Sequence, residues 1–375
     1  MTTVNLSQPD NSTPPVAQEN RTRKTHTGLG FIPASREEIG QSQWDDFVEK
    51  SDEAWLWHRN EYREPEDFRI PKKDLSFGIL DKNRQLLLIM PLHLTEIRIK
   101  RLIPFKTLNS LGGPASVNGQ GSKQKAKLYE FLREYLNKLA EQYDVSRFDI
   151  CVPPMAPAFR GEQCPRVNPL LSIGCENALG QTWCIDLRPA EDQLRRSYAE
   201  GTREDLRKIK REPYEIRVAE SIADLKIYYE LHRVTYGRSG KPPHPFAYYQ
   251  HIFDHFVTKG LCRITFYIQN GEVLAGHNTL FYKNAAHYWT AASKLDKPGG
   301  ANRLLMDEQI IFAKQRGGEW FEAGEASPQL SSGKYKGISD YKKSFGSVLY
   351  PFFKGRIVTR PKLHAVVDFL QIMHG

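Results

Sequence analysis

The sequence predicts an α/β fold of mixed (α+β) sheets, divided into two domains of ordinary size. The chain has 375 residues, 40% hydrophobic and 11% aromatic, so it can bury two cores and exceeds one small domain. The run LCRITFYIQNGEVLAGHNTLFYKNAAHYWTAAS reads as three strands with alternating apolar positions. On either side of it, segments with apolar residues at helical spacing interleave with short strand-like runs. Interleaving of this kind specifies helices layered on sheets rather than a bundle or a sandwich.

Residues 1–27 are polar, rich in Ser, Thr, Pro and Asn, and lack a hydrophobic centre; they read as a disordered tail and not as a secretory signal. The first domain is placed at 28–180. It opens with a helix in SQWDDFVEKS, where Trp44, Phe47 and Val48 share one face. LSFGILD, QLLLIMPLHLTEI and RLIPFKTLN follow as strands, the first two joined by a DKNRQ turn. KQKAKLYEFLREYLNKLAEQY is a long helix with Leu128, Leu132, Leu136 and Leu139 in one stripe. RFDICV is a buried strand that runs into the proline-rich PPMAPAFRG.

The second domain, 181–375, begins with the strand TWCIDL and the helix PAEDQLRRSYAE, with Pro189 in its first turn. TREDLRKIKRE is the next helix, stopped by Pro213. The strand YEIRVAE and the helices ADLKIYYELHRVTYGR and FAYYQHIFDHFVTKG, the latter closed by Gly260, lead to the meander. Its turns are Asn270-Gly271 and Lys283-Asn284, and Asn-Gly suits a two-residue hairpin because both positions accept positive φ. KLDKPGG, the helix ANRLLMDEQIIFAKQRGG and the strand EWFEAGE come next. Lys342 and Lys343 then fit the C-terminal turn of a helix, whose dipole favours cations.

The formal charge of +9 and pI of about 9.1 favour a polyanionic partner. The excess is concentrated where Arg203, Arg207, Lys208, Lys210 and Arg211 crowd one short helix. Five cysteines without C-x-x-C spacing argue against a zinc site and a disulfide framework, and point to reduced thiols in the cytoplasm. No run is long and apolar enough to span a bilayer. No H-E-x-x-H motif, G-x-S-x-G elbow or phosphate-binding G-x-x-x-x-G-K-[ST] loop is present, and no metal is expected.

Four segments in order, TREDLRKIKRE, VLAGHNTLFYKNAAHYWTAAS, PGGANRLLMDEQIIFAKQRGGEWFEAGE and YKKSFG, resemble the GNAT acyltransferases and, within them, the FemAB-like branch. The resemblance implies two tandem GNAT-like domains and an N-acyltransferase. Its donor would be acyl-CoA or aminoacyl-tRNA, with no tightly bound cofactor. Its acceptor would be a small-molecule amine or a cell-envelope precursor such as a peptidoglycan peptide or amino sugar, met in the cytoplasm or at an anionic membrane surface. A non-catalytic RNA or anionic-surface binder on the same scaffold is the competing reading.

By the same resemblance, Lys342 of the aromatic-Lys-x-x-Phe-Gly motif is the catalytic cation, since charge develops on the acyl oxygen as an amine attacks. Glu322 and Glu325 are the candidate bases. Substrate contacts are expected from Tyr341, Phe345, Gly276, Tyr288, Ser293, Arg203, Lys208 and Arg211. Gly299, Gly300, Asn302 and Arg303, at a helix start, are the candidate donor-phosphate residues. The two central strands are expected to splay, with Gly276–Thr279 on one side of the gap and Tyr288–Ser293 on the other.

Overall fold

The structure, a computed structural model, describes residues 30–99, 103–178 and 180–372; the expected tail over 1–27 lies outside them. In chain order the first half holds β1 (Ile32–Ser35), α1 (Arg36–Ile39), α2 (Gln41–Lys50), β2 (Lys73–Asp74), β3 (Phe77–Leu80) and β4 (Leu86–Met90). It continues with β5 (His93–Ile99), β6 (Ile103–Ser110), β7 (Ala115–Ser116), α3 (Ser122–Tyr143), β8 (Arg147–Cys151) and β9 (Glu176–Asn177). The second half holds β10 (Gly180–Asp186), α4 (Glu191–Ser197), α5 (Glu200–Ile209), β11 (Glu215–Val218), α6 (Ile222–Gly237), α7 (Phe246–Ile252) and β12 (Cys262–Gln269). Then come β13 (Glu272–Tyr282), β14 (Ala285–Ser293), α8 (Ala301–Gln315), β15 (Trp320–Glu325), α9 (Lys334–Lys343), β16 (Val348–Phe352), β17 (Lys354–Val358) and α10 (Pro361–Ile372).

Three sheets result, with orders β1-β3-β4-β7, β2-β5-β6-β8-β17-β9 and β11-β12-β13-β14-β15-β10-β16. The last is built on the meander. Asn270-Gly271 and Lys283-Asn284 all have positive φ (54°, 75°, 45° and 56°), the left-handed twist that tight hairpins require. Strand β17 leaves the second half and pairs with β8 and β9, so the C-terminal segment completes a sheet of the first half. Among the described residues no helix is long and apolar enough to cross a membrane.

Two expected elements divide. QLLLIMPLHLTEI is not one strand: β4 and β5 belong to different sheets and part at Pro91, which has no N–H for a ladder. PAEDQLRRSYAE ends at Ser197, because Tyr198 and Ala199 are extended (ψ 145° and 147°) and turn the chain into α5. The break buries the Tyr198 ring against Phe345, 5.3 Å between centroids. Pro189 lies before that helix, whose first residue is Glu191.

Helix α8 covers one face of the large sheet; α6 and α7 cover the other, where the first half also docks. Docking is held by polar contacts at the β13–β14 turn. Lys283 Nζ donates to the carbonyls of Val48 (2.5 Å), in the last turn of α2, and of Ser51 (2.5 Å) and Ala54 (3.2 Å), just beyond it. Trp55 Nε1 donates to the Tyr282 carbonyl at 3.2 Å and the Tyr282 hydroxyl to Glu49 at 2.7 Å. These bonds press the Trp55–Trp57 segment onto the sheet beside β14.

Candidate active site

β14 and β15 are parallel and pair at only three positions, Ala285↔Trp320, Ala286↔Phe321 and His287↔Glu322. Past His287 and Glu322 they diverge, leaving a wedge between 288–293 and 323–325. Residues Tyr288–Ala291 are partly exposed although their strand is internal to the sheet. Irregularities on both strands open it. Trp289 is an extra residue in β14, inserted between Asn278↔Thr290 and Thr279↔Tyr288. Gly324 in β15 has φ 97° and lies beside a register shift against β10. Such bulges bend a strand and increase its twist.

The expected splay between Gly276–Thr279 and Tyr288–Ser293 is therefore corrected. Those segments pair from Gly276↔Ala292 to Thr279↔Tyr288 in one ladder broken only by the Trp289 bulge, and the gap opens on the opposite edge of β14. Gly276 is a packing residue: a Cβ there would lie 2.9 Å from the Tyr228 ring and 3.2 Å from Phe266. Ser293 is also tied up, its N–H donating to Thr235 Oγ1 (2.9 Å) and its carbonyl accepting from the same hydroxyl (3.1 Å).

Lys342, in the last turn of α9, reaches into the wedge. Its Nζ donates to the Glu325 carbonyl at 3.1 Å, and a Cβ built on Gly324 would meet that Nζ at 2.9 Å and the Tyr288 carbonyl at 4.0 Å. The ammonium thus lies over Gly324, between the diverging strands, in space that only glycine leaves free. Burial pulls its pKa below the usual lysine value, and Glu322 and Glu325 offset part of that. Lys343 is exposed, its Nζ 6.0 Å over the Trp183 ring, so the two lysines are not equivalent.

Glu322, 4% exposed, marks the wedge vertex. Its carboxylate accepts from Thr182 Oγ1 and from His287 Nδ1, each at 2.8 Å. Burial alone would raise its pKa, but His287, Thr182 and Lys342 outweigh that and hold it below the usual glutamate value. The His287 ring meets Trp57 and Trp55 edge-on, at 5.6 and 6.2 Å. Trp289 lies on the same side, 6.0 Å from Trp57 and 6.4 Å from Tyr62. One wall of the wedge is thus aromatic and comes partly from the first half.

The remaining expected residues separate into groups. Tyr288 stands at the wedge, its ring 5.0 Å from that of His277. His277 is fully buried and pulled down to about 3 by burial, so it is neutral. Tyr341 donates to the Asn302 carbonyl at 2.8 Å, tying α9 to the first turn of α8. Phe345 is 0% exposed between Tyr198 and Tyr341, which leaves it no face for a substrate and makes it a packing residue. The Glu325 side chain is exposed and paired with Lys354 at 2.7 Å, away from the wedge vertex.

The start of α8 is covered by α5. A Cβ at Gly300 would lie 3.1 Å from the Asp205 carbonyl, and Arg303 donates to Asp205 at 2.6 Å and Thr202 at 3.4 Å. Gly299 is exposed. Of the basic cluster, Arg203 lines a cleft of about 610 Å³ between α4 and α5 with Arg195, Arg196, Arg207 and Lys210. Beneath it the buried Asp307 carboxylate holds Arg195 (3.1 Å), Lys210 (3.3 Å) and the Tyr198 hydroxyl (3.2 Å). Lys208 and Arg211 are exposed outside that cleft.

His287 and Thr182 were not among the expected site residues. The available signal was a histidine in the alanine-rich strand NAAHYWTAAS, but its partner Glu322 lies 35 residues on. His251 and His255 stand four residues apart with ring centroids at 4.3 Å, and His251 Nε2 donates to the Glu61 carbonyl at 2.7 Å. No group of His, Cys, Asp or Glu among the described residues is arranged to hold a metal ion.

Residues 195–343 match the model of the acetyltransferase (GNAT) domain family. A comparison with curated proteins finds no relative by sequence. Among solved structures, FemX is similar at 12% identity and a TM-score of 0.69, over 90% of this chain and 100% of its own. The C-terminal domain of a putative lysylphosphatidylglycerol synthetase from Agrobacterium fabrum follows at 14% identity and TM-score 0.54, over 87% and 94% of the two chains. L-PGS from Bacillus licheniformis aligns at 13% identity and TM-score 0.51, over 80% and 88%. These likenesses are of fold, and they extend across both halves of the molecule.

Proposed function

We propose that this chain, an acyltransferase whose residues 195–343 belong to the acetyltransferase (GNAT) family, moves an aminoacyl group from a charged tRNA to an amine of a cell-envelope precursor. The observation that carries this reading is the Lys342 ammonium lodged over Gly324 in the wedge between β14 and β15. An acyl carbonyl lying in the wedge would place its oxygen against a fixed positive charge as the tetrahedral centre forms, and that is where an acyl transfer needs stabilisation. Trp289, half-buried and backed by the buried rings of Trp57 and Tyr62, offers the acceptor an apolar surface, and holding donor and amine together supplies much of the remaining rate.

Two features favour a charged tRNA over acyl-CoA as donor. Helix α5 already occupies the start of α8, and Arg303 is spent on Asp205. The same helix presents Arg203 and Arg207 to solvent at the α4–α5 cleft, suited to a polyanion. The test is mass spectrometry of the protein incubated with acetyl-CoA or alanyl-tRNA plus an envelope-type amine such as a lysine-bearing peptide. Loss of the alanyl group with gain of its mass on the peptide supports the reading. Transfer from acetyl-CoA alone would reassign the donor, and transfer from neither would refute the function.

A further inference from the structure

We infer that His287, oriented by Glu322, is the proton acceptor for the attacking amine; this rests on the acyl-transfer reading above. An amine must shed a proton as it becomes an amide. The carboxylates in WFEAGE are poorly suited to take it. Glu325 points to Lys354, and both Glu322 oxygens are engaged, one by Thr182 and the other by His287. What Glu322 does is fix the imidazole: an ionised carboxylate only accepts, so Nδ1 carries a hydrogen, and in the neutral ring that leaves the lone pair on Nε2.

The ring occupies the last paired position before the strands part, and its side chain is 16% exposed. Nε2 has no hydrogen bond among the described residues. Trp55 and Trp57 hold the ring edge-on and restrict its rotation. Among the described residues, the charged groups facing His287 are Glu322 from β15 and, through it, Lys342 from α9. Cys184 from β10 is a buried thiol kept protonated by burial, and the Trp55–Trp57 segment adds indole rings.

The step balances without any redox partner. The amine nitrogen bonds to the acyl carbon, and its proton passes to His287 Nε2. The bond from that carbon to the ester oxygen or thioester sulfur breaks, and the departing atom takes the proton from Nε2, restoring neutral imidazole. Lys342 and His287 therefore divide the work, one answering charge on the acyl oxygen and the other moving the proton. Glu322 is a positioning residue.

Two measurements on the full chain test this. Long-range 1H–15N NMR of histidine-labelled protein should show His287 as the Nδ1–H tautomer, and Glu322→Gln should abolish that preference; an Nε2–H tautomer in the wild type overturns the assignment. In transfer assays with alanyl-tRNA or acetyl-CoA and a lysine-bearing peptide, His287→Ala should lower kcat/KM by about 10²–10⁴ and remove the acid limb of its pH profile. Added imidazole should restore activity to His287→Gly. His287→Ala that stays within about threefold of the wild type with its acid limb intact refutes the proton-acceptor role alone. A wild type inactive with both donors refutes the acyl-transfer reading and this inference with it.

Discussion

Replacing Lys342 with alanine removes the cation that, among the described residues, stands inside the wedge. Its worth to the reaction follows from its surroundings. A unit charge about 4 Å from a developing oxyanion, at an effective dielectric near 20, contributes roughly 4 kcal/mol, and partial exposure reduces that. Loss of one oxyanion donor in comparable sites costs about 10²–10³ in kcat. Lys342→Ala is expected to fall in that range, with KM within about threefold, because the interaction strengthens only as charge develops. Folding should be little affected, since Glu322 retains Thr182 and His287. Lys342→Arg should recover only part of the rate: the guanidinium is a broad planar fork, and the ammonium already sits where a Gly324 Cβ would be. Single-turnover kinetics with thermal melts run in parallel are the assay. A loss below about tenfold, or a raised KM with unchanged kcat, would show that Lys342 binds substrate uniformly and would refute the oxyanion argument.

Gly324→Ala should imitate Lys342→Ala in kinetics while also destabilising the fold. The new methyl would stand 2.9 Å from Nζ, and φ 97° is strained for any residue with a Cβ, at a cost of about 1–3 kcal/mol; a melt lowered by several degrees together with slow turnover is the expected pair of readouts. Glu322 has a depressed pKa in the folded state, so its stabilising contribution is fully present above its unfolded value near 4.5 and is lost as pH falls through the lower folded value. Glu322→Gln should therefore melt lower than the wild type at neutral pH and lose less stability on acidification, which a series of melts between about pH 2 and 7 will show.

Much of the large sheet was legible because its signals are local. Asn270-Gly271 and Lys283-Asn284 act over two residues, and the alternation in CRITFYIQ and its neighbours makes the faces of β12, β13 and β14 readable without any distant partner. The YKKSFG motif marked Lys342 for a similar reason: its residues are consecutive and lie on one helix end. Where the wedge opens was not legible. That depends on the parallel register of β14 and β15, whose partners are joined through the whole of α8, and strand alternation is silent about which edge of an internal strand is left unpaired. The same distance hid the bond between His287 and Glu322.

By itself the sequence determined the order of elements, the turns of the meander, the amphipathic helices and the likeness of four segments to one superfamily, all of which rest on contacts within a few residues. Only the tertiary structure decided that Phe345 and Gly276 pack rather than bind, that α5 closes over the start of α8, and that His287 faces Glu322 beneath the indoles of the first half. The physical reason is that burial and hydrogen-bond partnership belong to pairs of surfaces, and those pairs form only when segments far apart in the chain pack together.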